Sequence, residues 1–155
     1  MKLKRILVPI DFSPTSLKAL EHAADLAAPS KAELLLLSVV EPLYPLMPDY
    51  DGVQSAALGR ILDDHREAAR KGLERLERRC AKRRLRVRSL VGTGRPFEVI
   101  GQAAKRQRAD LIVIATHGRT GFSHLLTGSV AERVVRTAPC PVLTVRPKTA
   151  GRGKR

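Results

Sequence analysis

Two apolar runs restrict this chain more than any other feature. Ala32–Val40 reads AELLLLSVV and Leu111–Ala115 reads LIVIA. Neither alternates apolar with polar residues, so neither suits a sheet with one wet face. A strand that is apolar on both sides belongs in a parallel sheet covered by helices on each face. Leu3–Ile10 is a third run of this kind, ending at Asp11. Arg86–Val91 and Pro141–Val145 complete five expected strands, with Gly92-Thr93-Gly94 expected as a loop after Arg86–Val91.

Helical patterns separate the strands. Ser13-Pro14 is an N-cap followed by a first-turn proline, and Leu17, Leu20, Ala24 and Ala27 form a stripe behind it. From about Ser55 to Arg84, Leu58, Leu62, Ala69, Leu73, Leu76 and Cys80 recur at helical steps. The other face of that helix mixes arginines with Asp63, Asp64, Glu67, Glu74 and Glu77, as a solvated face with local ion pairs does. Pro96 opens a third helix with Phe97, Ile100 and Ala104 inward, and a fourth is expected over Ser129–Thr137. Glu41 to Gly52 is a Pro-rich loop and Thr116 to Thr127 another. The order βαβαβαβαβ predicts an α/β fold: an open, doubly wound, Rossmann-like sheet of five mainly parallel strands with helices on both faces. One domain over 1–147 and a basic, disordered tail over 148–155 are expected.

The charge raises a second question. The formal net charge is +14, which invites a nucleic-acid reading. Aromatic residues make up only 3%, too few for a base-stacking platform, and no zinc-finger spacing is present. A solvated basic helix face is therefore the preferred reading over a dedicated nucleic-acid surface. The basic N-terminus is followed by an apolar run broken at Pro9 and Asp11, too short for a signal peptide or a membrane span. Cys80 and Cys140 have no partner at CxxC spacing and read as packing residues in a reducing, cytoplasmic compartment.

In an open parallel sheet, ligands sit outside the carboxyl ends of the strands, where strand order switches direction. Three places follow: Pro9-Ile10-Asp11, Val39-Val40-Glu41, and the stretch from Ala115. The last reads ATHGRTGFSHLLTGSVAERV. Gly128-Ser129 opens a helix whose free N–H groups favour phosphate, and glycine lets backbone approach the oxygens. Ser129 followed by Glu132 is equally a capping box. Spacing alone does not choose between the two. His22, His65 and His124 have no metal-ligand spacing, and Asp11 beside Ser13 could simply support the first helix cap.

The chain resembles the universal stress protein family along nearly its whole length. ILVPIDFSPTSLKAL is similar to that family's first strand and helix, and ATHGRTGFSHLLTGSVAERVVRTAPCPVLTV to its most diagnostic part. The ATP-binding branch carries Gly-x2-Gly-x9-Gly-Ser/Thr. Gly118, Gly128 and Ser129 match it; Ala115 stands in the first glycine's place. The resemblance implies that Pro9, Ile10 and Asp11 meet the adenine or ribose and that Val39 offers backbone hydrogen bonds to the adenine edge. It also implies that Gly118, Gly128, Ser129 and Val130 hold the phosphates, with Ala115, Thr116, His117 and Arg119 around them. ATP or another adenine nucleotide with Mg2+ or Mn2+ is the implied ligand, and a homodimer through the last strand the implied assembly. The expected role is a stress-response sensor or regulator with little or no turnover and no catalytic residues. The alternatives are a slow ATPase, or a family member without nucleotide that acts through protein or nucleic-acid partners.

Overall fold

The computed structural model describes residues 2–42, 53–116 and 129–146, without the side chains of 53–55 and 129. Nine elements alternate as expected: β1 (Arg5–Pro9), α1 (Pro14–Ser30), β2 (Glu33–Val40), α2 (Val53–Ala81), β3 (Arg86–Thr93), α3 (Pro96–Gln107), β4 (Leu111–Ala115), α4 (Ser129–Thr137) and β5 (Val142–Val145). All four strand pairings are parallel, in the order β3-β2-β1-β4-β5.

The apolar runs fill both faces because successive side chains point to opposite sides of a strand. Ile6, Val8, Leu34 and Leu36 pack with Ala19, Leu20, Ala23, Leu73 and Cys80, so α1 and α2 cover one face. Leu7, Leu35, Leu37 and Ile112 pack with Val99, Ile100, Ala131 and Val134, so α3 and α4 cover the other. Cys80 and Cys140 are free, Cys80 buried in the first layer and Cys140 half-buried against the second.

Local chemistry explains the boundaries. Ser13 caps α1: its Oγ accepts from Ser16 N–H at 3.1 Å, and Pro14 occupies the first turn. Pro96 opens α3 in the same way, without a side-chain cap at Arg95. On α2, Arg66 pairs with Asp63 and Arg70 with both Glu67 and Glu74, as the mixed-charge face predicts. Arg79 and Arg83 reach further, to Glu21 and Asp25 of α1.

One boundary differs from the sequence reading. Gly92 and Thr93 belong to β3, paired with Val39 and Val40, and are not loop. The glycine is needed there for packing: a Cβ on Gly92 would collide with Cγ1 of Val99 in α3. Only Gly94, at φ +134, turns the chain out of the sheet. Smaller shifts occur at α2, which begins at Val53 and ends at Ala81, ahead of the expected Arg84.

Three helices end on left-handed residues that are not glycine. Lys31 follows α1 at φ 54, Arg84 follows α2 at φ 58 and Arg108 follows α3 at φ 51. Glycine is the usual occupant of such positions, and an L-residue there costs roughly 1–2 kcal/mol. A cation at a helix C-terminus recovers part of that through the helix dipole.

Candidate functional site

The strand order places a switch at the centre of the sheet. From β1 the chain builds outward through β2 to β3; it then crosses to β4 on the other side of β1 and continues to β5. The loops leaving β1 and β4 therefore diverge, and a crevice opens above their carboxyl ends. A cavity of about 850 Å³ lies there, within the roughly 300–1,000 Å³ typical of small-molecule sites.

β1 supplies one wall through Pro9, Ile10 and Asp11. Ile10 N–H donates to Leu37 O at 2.7 Å, which carries the β1–β2 ladder past the end of the strand. Asp11 Oδ1 accepts from both Ser13 N–H at 3.0 Å and Ser13 Oγ–H at 2.6 Å. The capping role considered for Asp11 is thus real, and it holds the carboxylate at the rim of the cavity at the same time. Phe12, between them, adopts φ 63.

β2 supplies Ser38, Val39, Val40 and Glu41. The Val40 carbonyl accepts from Gly94 N–H at 3.1 Å, so the end of β2 is tied to the turn after β3. β4 supplies Ala115 and Thr116. The Ala115 methyl packs on the core layer beneath α1 and α2. Thr116 is buried; its N–H and hydroxyl both donate to Val145 O of β5, at 3.0 and 3.4 Å. Val130 and Ala131, in the first turn of α4, close the far side. That turn brings the positive end of the α4 dipole to the cavity.

Seven expected site residues therefore meet in one cavity: Pro9, Ile10, Asp11, Val39, Ala115, Thr116 and Val130. His117, Gly118, Arg119 and Gly128 lie outside the described residues, and so does the side chain of Ser129, the first residue of α4. Its choice between capping and phosphate binding lies outside them too. Sequence reasoning missed a wall. His65, Ala69, Gly72 and Arg75 of α2, with Pro96 and Ile100 of α3, also line the cavity. A glycine inside an otherwise strong helix, Gly72, was the available signal of a close approach.

The lining mixes apolar and charged side chains. Ile10, Val40, Ile100 and Ile114 are apolar, while Asp11, Glu41, His65 and Arg75 bring charge of both signs. Among the described residues no group of three His, Cys, Asp or Glu side chains could hold a metal ion by itself. Asp11 and Glu41 are the carboxylates in the lining. No helix among the described residues is long and apolar enough to cross a membrane.

The model of the universal stress protein family matches residues 2–146. A universal stress protein of Thermus aquaticus is 37% identical over 148 residues, covering 92% of this chain and 98% of its own. The structure of the universal stress protein UspA from Lactobacillus plantarum superposes with a TM-score of 0.84 at 26% identity, over 94% of this chain and 99% of that one. An Arabidopsis thaliana family protein with AMP bound shares the fold at a TM-score of 0.65 and 23% identity, over 94% of this chain and 93% of its own.

Proposed function

The chain belongs to the universal stress protein family, and from that premise we propose that it binds an adenine nucleotide, ATP first among them, and acts as a stress-response sensor or regulator with little or no turnover. The observation that carries this reading is the cavity itself. It sits at the switch point of a parallel sheet, and seven residues expected from the sequence line it together.

In this reading the apolar walls take the adenine, with Val39 at its edge. Asp11 meets the ribose, because a carboxylate already fixed by two hydrogen bonds can accept a third from a hydroxyl without losing side-chain freedom. The phosphates run toward the first turn of α4, where Ser129 and Val130 present backbone N–H groups to them, and the family pattern gives Gly128 the same role. Mg2+ or Mn2+ travels with the triphosphate and neutralises its charge. Ala115 in place of the first motif glycine is compatible with this, since its methyl already rests on the core layer. The AMP-bound Arabidopsis protein lends the reading support from the same fold.

The family also suggests a homodimer through β5. That strand is one edge of the sheet and, among the described residues, pairs only with β4; an uncovered apolar edge tends to recruit another chain.

The test is calorimetric titration of the protein with ATP and Mg2+, with mass spectrometry of any nucleotide that co-purifies. The expected Kd is micromolar, about −8 kcal/mol. Gly128→Val should weaken it strongly by placing a branched side chain where phosphate approaches. Ala115→Gly should bind at least as well as the parent chain. Absence of binding to ATP, ADP and AMP alike overturns the reading.

A further inference from the structure

We infer that the pole of the molecule opposite the cavity is a docking surface for double-stranded DNA, held through its phosphates. The sequence shows only that the chain is basic; the fold decides where the charge goes. Helix C-termini and strand N-termini of a parallel α/β sheet all lie at one end, and here nearly every connection at that end carries lysine or arginine. Lys31, Arg84 and Arg108 occupy the left-handed positions after α1, α2 and α3. Lys82 and Arg86 flank Arg84, and Lys105 and Arg106 precede Arg108.

Contacts show that these segments converge. Asp110 accepts from the backbone N–H groups of Lys4 and Arg5 at 2.7 and 2.8 Å, which joins the α3–β4 turn to the start of β1. Arg5 donates to the Gln107 carbonyl at 2.9 Å, and Arg88 donates to the Gln107 side chain at 2.9 Å. Arg5, Glu33 and Arg86 stand side by side across the first row of the sheet.

Three acids at this pole are already engaged. Asp25 pairs with Arg83, Glu33 lies between Arg5 and Arg88, and Asp110 caps the β1 backbone. Among the described residues, Lys31, Arg84, Arg86, Lys105, Arg106 and Arg108 are all exposed, and none of them has a carboxylate within salt-bridge distance. The helix dipole accounts for a cation at each helix end. It does not account for those at the starts of β1 and β3. Nor does it require a charged side chain in three positions where glycine carries no strain.

The chemistry selects the partner. Exposed arginine in numbers, without neighbouring acids, suits phosphodiesters. A single strand is bound by stacking bases on aromatic rings, and among the described residues the pole has none: Phe12 and Phe97 sit against α2 and beside Arg133. A lipid surface is held by an apolar face under the basic residues. Here exposed large apolar side chains such as Leu26, Val135 and Leu143 belong to α1, α4 and β5, not to the α2–β3 and α3–β4 connections that carry most of the free cations. The basic side chains rise from the sheet and from helix layers on both of its sides. Layers packed about 10 Å apart give a patch roughly 20 Å wide, broad enough to reach phosphates on both strands across a B-form groove of about 12 Å. The contacts read no base sequence.

The experiment is fluorescence anisotropy of a labelled 20-base-pair duplex of arbitrary sequence with the full-length protein, across salt concentrations. About five phosphate contacts predict a log–log slope near −4.5 and a roughly 500-fold loss of affinity from 50 to 200 mM salt. The decisive variant is Lys31→Gly, Arg84→Gly and Arg108→Gly together. Glycine relieves the left-handed backbone at each position, so the fold is kept; circular dichroism and ATP titration report on that independently. The slope should fall to about −2, while Arg95→Ala, at the cavity end, leaves it unchanged. No binding at 50 mM salt, an unchanged slope in the triple variant, or a preference for phosphatidylserine vesicles over DNA at equal phosphate would each overturn the inference.

Discussion

A Cβ placed on Gly72 would lie 2.6 Å from both Cε1 and Cζ of Phe12, so the Phe12 ring rests directly on the bare backbone of α2. Both residues line the cavity. The contact sets how closely α2 approaches the end of β1, and it accompanies the left-handed backbone of Phe12 at φ 63. Gly72→Ala tests it. Alanine favours the helix by about 1 kcal/mol, while forced overpacking costs about 1–3 kcal/mol. Urea denaturation should therefore show a net loss of about 1 kcal/mol, with weaker nucleotide binding because the displaced ring enters the cavity. Adding Phe12→Ala removes the clash. If Gly72→Ala instead raises stability by the full helix increment, the ring is not held on α2.

Asp11 has two roles that one substitution separates. Its Oδ1 supports the α1 cap through Ser13, and the proposed function gives the carboxylate to the ribose. Asparagine keeps the oxygen acceptor and removes the charge. Asp11→Asn should change stability by less than about 0.5 kcal/mol and weaken ATP about tenfold, since hydrogen bonds to charged groups exceed neutral ones by about 1 kcal/mol or more. Asp11→Ala should lose about 1–2 kcal/mol of stability as well. Equal affinity in Asp11→Asn and the parent chain would leave Asp11 with the cap alone.

Legibility in the sequence followed burial. β1, β2 and β4 were plain because both of their faces are covered, which forces unbroken Val, Ile, Leu and Ala. With a parallel sheet inferred from the alternating elements, the rule that ligands sit beyond carboxyl strand ends located the cavity from three strand ends. β3 was cut short because Gly92 reads as a turn when its neighbour Val99, seven residues on, is not visible as a packing partner. The α2 wall stayed hidden for the same reason: His65 and Arg75 look like any exposed helix residues until α2 is docked. The left-handed backbones of Phe12, Lys31, Arg84 and Arg108 leave no local mark, because none of these types prefers that region.

The ion pairs on α2 give a pH prediction. Arg70 donates to both oxygens of Glu67, at 2.8 and 2.7 Å, and Lys71 stands 3.4 Å away. The Arg70 hydrogen bonds, with its charge and that of Lys71, hold the Glu67 carboxyl at about 2, below its ordinary 4.5. A carboxyl lowered by folding stabilises the protein fully above its unfolded value, and the contribution is lost as pH falls from 4.5 toward 2. The pair is solvent-accessible, so salt reduces the shift. An NMR titration of the Glu67 side chain should find its midpoint well below 4.5, and Arg70→Gln should return it toward that value. A midpoint near 4.5 in the parent chain would mean that the pair does not persist in solution.

The proposed dimer rests on β5, and its sequence offers a clean way to break it. Leu143 is 40% exposed on an edge strand that pairs with β4 through Ile112–Val142 to Ala115–Val145. Val135 of α4, 51% exposed, adds a second apolar side chain among the described residues. Val145 is buried, and its carbonyl receives Thr116, so it belongs to the subunit's own structure and must be left alone. Leu143→Arg changes only an exposed side chain and keeps the β4–β5 ladder, so the fold should hold within about 0.5 kcal/mol. A guanidinium at the centre of an apolar edge-to-edge contact would be desolvated without a partner, a loss large enough to dissociate a micromolar dimer. Light scattering after size exclusion should give twice the chain mass for the parent protein and the single-chain mass for Leu143→Arg. Calorimetry on the same variant then tells whether the cavity, lined by one chain's strand ends and by α2, α3 and α4, needs the second subunit. A parent chain that runs as a monomer at 100 μM removes the dimer, and a Leu143→Arg variant that remains dimeric moves the interface away from β5.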